Sequence, residues 1–167
     1  MFYKNYQNFT PKKPVKTFHD LEVYQQALEA NVYVCNVLIP SFHKNKSGKA
    51  KKNKNDETGE IKEIIIKTLA NCASGLPHLI AEAHSFRFGA QKECLILLEK
   101  VMLNCNKMVV YLDQARDICE TGIETEKFEE LTKKYFYLRR KVLNLQRSWQ
   151  RYMGMPAGEK FIKDIKL

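Results

Sequence analysis

Over the last third of the chain, Phe128, Leu131, Tyr135, Leu138, Val142, Leu145, Trp149 and Tyr152 follow one another at alternating steps of three and four residues. An α-helix turns once every 3.6 residues, so side chains spaced in this way return to one face. A seam this long leaves an apolar surface that only other helices can cover, which predicts a helix packed within a bundle.

The rest of the chain supplies the partners. Thr17, with Asp20 three residues on, resembles a capping box, and apolar residues then recur at Leu21, Tyr24, Leu28, Cys35 and Leu38. This first helix is expected to stop before Pro40, because a residue preceding proline is pushed out of the α region. A second helix is predicted from about Glu60 to His84, with Ile61, Ile65, Leu69, Cys72, Leu76 and Ile80 on one face and Pro77 expected to kink it. A third carries two apolar rows: Leu95, Leu98, Met102, Cys105, Val109 and Leu112, and beside them Cys94, Leu97, Val101, Met108 and Tyr111. Two rows imply more than one neighbour, and part of this surface is expected to need another chain. Thr125 can cap the fourth helix, and Gly154 with Pro156 is expected to end it.

No segment reads as a strand. The expected fold is all-α, an antiparallel four-helix bundle over residues 17–153. It is flanked by a disordered basic arm (1–16) and a C-terminal tail (154–167), and interrupted by a flexible lysine-rich loop (43–58) with six lysines between 44 and 54. At 167 residues the chain is sized for one domain.

Five cysteines at 35, 72, 94, 105 and 119 form no CxxC pair, so they read as reduced core residues rather than as a disulfide framework or a zinc knuckle. The N-terminus lacks the apolar core of a signal peptide, and no run approaches the roughly 18 apolar residues of a membrane span. The expectation is a soluble, cytoplasmic protein without a membrane partner. A net charge of +9 makes a polyanion the first partner to consider.

That charge has a focus. On the fourth helix, opposite the seam, Lys133, Tyr137, Arg140, Asn144, Arg147 and Arg151 recur at steps of four and three, flanked by Lys134, Arg139 and Lys141. Between Leu131 and Gly158 stand seven basic residues and no acid. Solvated helical faces commonly mix Glu with Lys, whereas this one accepts like-charge repulsion, so an external polyanion is expected to neutralise it. The candidate nucleic-acid-binding residues are Lys133, Lys134, Arg139, Arg140, Lys141, Arg147 and Arg151, with Lys12 and Lys13 of the arm and Lys51 and Lys52 of the loop adding reach. Tyr137 either stacks on a base or fills surface, and surface is favoured.

Catalytic constellations are weak. His78 and Glu82 stand four apart, a spacing more often found in helix stabilisation than in acid/base chemistry, and Cys72, His78, His84 and Cys94 are spread around their helices rather than gathered for zinc. No phosphate-binding loop, GxSxG or HExxH motif occurs. The chain is read as a non-enzyme without cofactor.

Two segments carry a resemblance. FHDLEVYQQALEANVYVCNVL, with Phe18, Asp20, Leu21, Tyr24 and Gln25, resembles the opening motif of the bacterial four-helix-bundle family that includes the ribosomal-RNA intervening-sequence proteins and the accessory variability determinant of diversity-generating retroelements. ASGLPHLIAEAHSFR, with Ser74, Pro77, Ile80, Ala81 and Glu82, is similar to that family's second motif. The chain departs from the pattern at Leu79, at Ala83 and in the lysine-rich loop after Pro40. Over residues 17–152 the resemblance implies four antiparallel helices and a homopentameric barrel. In the retroelement branch it implies association with a reverse transcriptase and its template RNA. The strong positive charge favours that branch over the alternative, an oligomeric interaction scaffold of the intervening-sequence type with no nucleic-acid role.

Overall fold

The first helix begins where a carboxylate turns back on the chain. In the computed structural model, which describes residues 15–44, 57–119 and 121–154, Asp20 accepts hydrogen bonds from the backbone N–H of Thr17 (2.9 Å) and Lys16 (3.0 Å). These bonds, that from Thr17 foremost, hold its carboxyl below the usual range. A 3-10 turn, Phe18–Asp20, then leads into α1 (Glu22–Tyr33), a wide π turn (Val34–Leu38) and α2 (Ile39–Lys44), which follow one another without a break as a single rod. Three longer helices complete the chain: α3 (Glu57–Phe86), α4 (Gln91–Ile118) and α5 (Thr125–Tyr152). The described residues are all-α, with no strand among them.

Pro40 does not end the first rod. The preceding turn widens, and Ile39 bonds to the carbonyl of Val34, five residues back. Ile39 itself is helical (φ −61°, ψ −46°), so the rod runs on through Pro40, the widened turn before it loosening the hydrogen-bond ladder where proline has no N–H to give. The lysine-rich loop is likewise shorter than 43–58, since residues 43, 44, 57 and 58 lie in helices. Residues 45–56, the arm up to residue 14 and the tail from 155 lie outside the described residues. The second predicted helix also extends beyond both expected ends, and α3 runs unbroken through the buried Pro77.

α3 packs on α4, α4 on α5, and α1 on both α3 and α5, closing the helices around one core. Val34, Leu38, Leu69, Leu76, Ile80, Leu98, Leu112 and Val142 are fully buried there. Thr58–Phe86 is also long and apolar enough, by length and composition, to cross a membrane, contrary to the expectation from the sequence. Its inward face is nevertheless core, with Leu69, Ala73, Leu76, Ile80 and Ala83 all at 0% exposure.

On α4 most of both apolar rows is covered within the chain. Leu95, Leu98, Cys105 and Leu112 of one row and Cys94, Leu97, Val101 and Met108 of the other are buried, because α4 lies against α3 on one side and α5 on the other. Met102 and Val109 of the first row and Tyr111 of the second are only half-buried.

The α5 seam is buried from Phe128 to Val142, half-buried at Leu145 and Trp149, and exposed at Tyr152 (79%). Gln146 and Gln150 are buried in its place, and Gln146 donates to the Leu95 carbonyl at 3.3 Å. A strict seven-residue repeat drifts by about 20° per heptad on a straight helix. After three heptads the apolar stripe has rotated away from the core, and the next residue along each turn takes its place.

All five cysteines are free thiols. Burial pushes Cys72 up to about 11 and Cys94 and Cys105 up to about 12, so they stay protonated and behave as small apolar residues.

Candidate nucleic-acid interface

Because α5 buries the Phe128–Val142 stripe, helical geometry sends residues half a turn away outward. Lys133, Arg140, Asn144, Arg147 and Arg151 are all exposed, and from Lys133 to Arg151 the line runs for about 27 Å at 1.5 Å per residue. Among the described residues, Lys133, Arg140, Arg147 and Arg151 pair with no carboxylate.

The flanking bases differ. Lys134 pairs with Glu29 of α1 at 2.6 Å, and Lys141 pairs with Glu22 of α1 at 3.1 Å. The absence of acids that marks this stretch of sequence is thus partly made good across the α1/α5 seam. Both pairs are solvent-exposed, so they are weakly held and screened by salt. Tyr137 and then Glu22 hold the Lys141 ammonium above its ordinary range.

Tyr137 donates its hydroxyl to Glu22 at 3.1 Å. Its ring lies 5.3 Å from the Arg140 guanidinium and 5.1 Å from the Lys141 ammonium. With its hydroxyl tied and cations beside its ring, it braces the surface and arranges the bases around it.

Arg139 lies off the exposed line. It is half-buried, its charge reaches Cys105 in the core, and its Nε is buried without a hydrogen-bond partner among the described residues. Lys12, Lys13, Lys51 and Lys52 fall outside the described residues. The stripe therefore resolves into four outward cations with no acid partner and two that α1 has already engaged.

Beside it, a cleft of about 600 Å³ opens between α1 and α5 over Ala30, Tyr135 and Leu138. Glu29 and Glu130 line it together with Lys133 and Lys134, so its walls carry balanced charge. Among the described residues no three His, Cys, Asp or Glu side chains gather around a point where a metal could sit. Of the four residues weighed for zinc, His78 is exposed, His84 and Cys94 are buried, and Cys72 lies against the Asn104 carbonyl at 3.6 Å.

The fold gives one of these residues a setting that its place in the sequence does not suggest. His84 is buried at one end of the helices, with the rings of Phe18 and Trp149 both centred 6.3 Å away. An Arg87 Nη lies 2.8 Å from its Nδ1, and since arginine only donates, Nδ1 must accept and the ring is neutral. Burial, and then the Arg87 charge, hold the imidazole below its ordinary value against a smaller opposing pull from Asp20.

The folded state therefore binds fewer protons at this site than the unfolded state. Its contribution is present above the unfolded value of about 6.5 and is lost as pH falls through the lower folded value. Thermal melts should show stability dropping as pH falls below about 6.5, a window above that of Asp20, and His84→Gln should flatten the drop.

No family model matches the chain, and neither does any curated protein or solved structure.

Proposed function

We propose that this chain is a non-enzymatic accessory protein of the cytoplasm, an antiparallel four-helix bundle that binds RNA or DNA through the outward face of α5. Following the resemblance of its α1 and α3 motifs, it associates with a reverse transcriptase in a diversity-generating retroelement and assembles as a closed homo-oligomer of five copies. The single observation that supports nucleic-acid binding most is the line of Lys133, Arg140, Arg147 and Arg151, exposed and without a carboxylate partner among the described residues. Cations so placed displace counterions from a phosphate backbone and give affinity without reading sequence. Tyr137, its hydroxyl tied to Glu22, serves in this reading to arrange the neighbouring cations rather than to stack on a base.

One observation favours the scaffold reading: Glu22 and Glu29 already neutralise Lys141 and Lys134, so part of the charge serves the fold itself. Fluorescence anisotropy with labelled RNA and DNA of unrelated sequences separates the two. Comparable binding of both supports the interface, and no binding at low salt supports the scaffold.

A further inference from the structure

α4 carries a third apolar row. Beyond the two rows buried against α3 and α5, Ile96, Leu103 and Val110 recur every seven residues on its outward side. Leu103 is 44% and Val110 52% exposed, and Ile96 is half-buried. α5 adds Phe136, 53% exposed, on the same side of the helix as Gln146, the residue that reaches α4. Among the described residues this apolar face of α4 is left open.

The charges along the row point to what covers it. At 100° per residue, Lys100 and Lys107, with Glu93 at the start of the helix, fall on one flank of the row and leave it net positive, whereas Glu99, Asp113 and Asp117 fall on the other. Arg116 bonds to both Asp113 (3.1 Å) and Asp117 (2.8 Å), and two carboxylates against one guanidinium leave that flank net negative. Rotation about an axis parallel to the helix sets the left flank of one α4 against the right flank of the next, so a basic edge meets an acidic one. An antiparallel pairing of the same faces would set like charges together. The pattern is thus complementary to a copy of itself running in the same direction.

We propose that the outward face of α4 is a self-assembly surface. The α4 helices of neighbouring copies run parallel around a common axis, with Ile96, Leu103 and Val110 facing inward and Lys100 and Lys107 of one copy beside the acidic flank of the next. This rests on the self-assembly proposed above and locates the surface, while leaving the number of copies to the ring that closes.

Light scattering across a size-exclusion peak tests it on the full chain. Leu103→Glu with Val110→Glu should yield monomer with unchanged helicity. Lys100→Glu with Lys107→Glu should weaken assembly by about tenfold, and adding Asp113→Lys and Asp117→Lys to that chain should restore it. An oligomeric parent whose mass survives the Leu103/Val110 change overturns the surface while leaving self-assembly standing, whereas a monomeric parent overturns both. Failure of the four-residue swap to restore assembly overturns the parallel arrangement. Should the Leu103/Val110 variant lose helicity, the charge-swap pair decides alone.

Discussion

Changing Arg140, Arg147 and Arg151 together to glutamine is expected to lower affinity for RNA and DNA alike, on the order of a hundredfold near 0.15 M salt. Each phosphate contact contributes about 0.9 to the slope of log affinity against log salt on duplex DNA, so three lost contacts reduce it by about 2.7. The fold should persist, because all three side chains are exposed on the side of α5 away from the core, and such changes alter stability by under about 0.5 kcal/mol each. Glu22→Gln with Glu29→Gln should move the same measurement the other way. It removes two negative charges from the edge of the surface and releases Lys141 and Lys134 from their partners. Equal affinity in the parent and the triple variant would remove α5 from the binding surface.

Two substitutions on the α5 seam should differ sharply although the sequence presents them as equivalent. Leu138 is 2% exposed and packed in the core, and its change to Ala should cost about 2–5 kcal/mol through lost burial and the cavity left behind. Tyr152→Ala should stay within about 0.5 kcal/mol, since its side chain is 79% exposed. Urea unfolding read as a midpoint shift at constant slope measures both. Comparable losses at the two positions would mean that the apolar stripe stays on the core to the end of α5 and that the drift is wrong.

The seam also shows how far the sequence reaches. From Phe128 to Val142 the alternation of three and four names the buried residues, because over two heptads the difference between 3.5 and 3.6 residues per turn stays small. By Gln146 and Gln150 it has accumulated, and polar residues enter the interior that no hydrophobic pattern would place there. Pro40 misleads for a related reason: the rule that proline ends a helix assumes a regular preceding turn, and a π turn supplies another. The two rows of α4 are visible in the sequence, but which neighbour covers each is a tertiary fact, since α3 takes one side of the helix and α5 the other.

At the candidate interface, the outward direction of Arg140, Arg147 and Arg151 follows from helical phase once the seam is known. The engagement of Lys134 and Lys141 does not, since Glu29 and Glu22 stand more than a hundred residues away in the chain. The sequence offers His84 only as a zinc candidate, because nothing local announces that Phe18 and Trp149 converge on it.

The most direct test of the central claim is the salt dependence of binding by the unaltered protein, measured on two duplexes of unrelated sequence. If Lys133, Arg140, Arg147 and Arg151 meet phosphates, log affinity should fall linearly with log salt at a slope of at least about 3.6 in magnitude, alike for both sequences. No binding at low salt, or an affinity that does not change with salt, would contradict it.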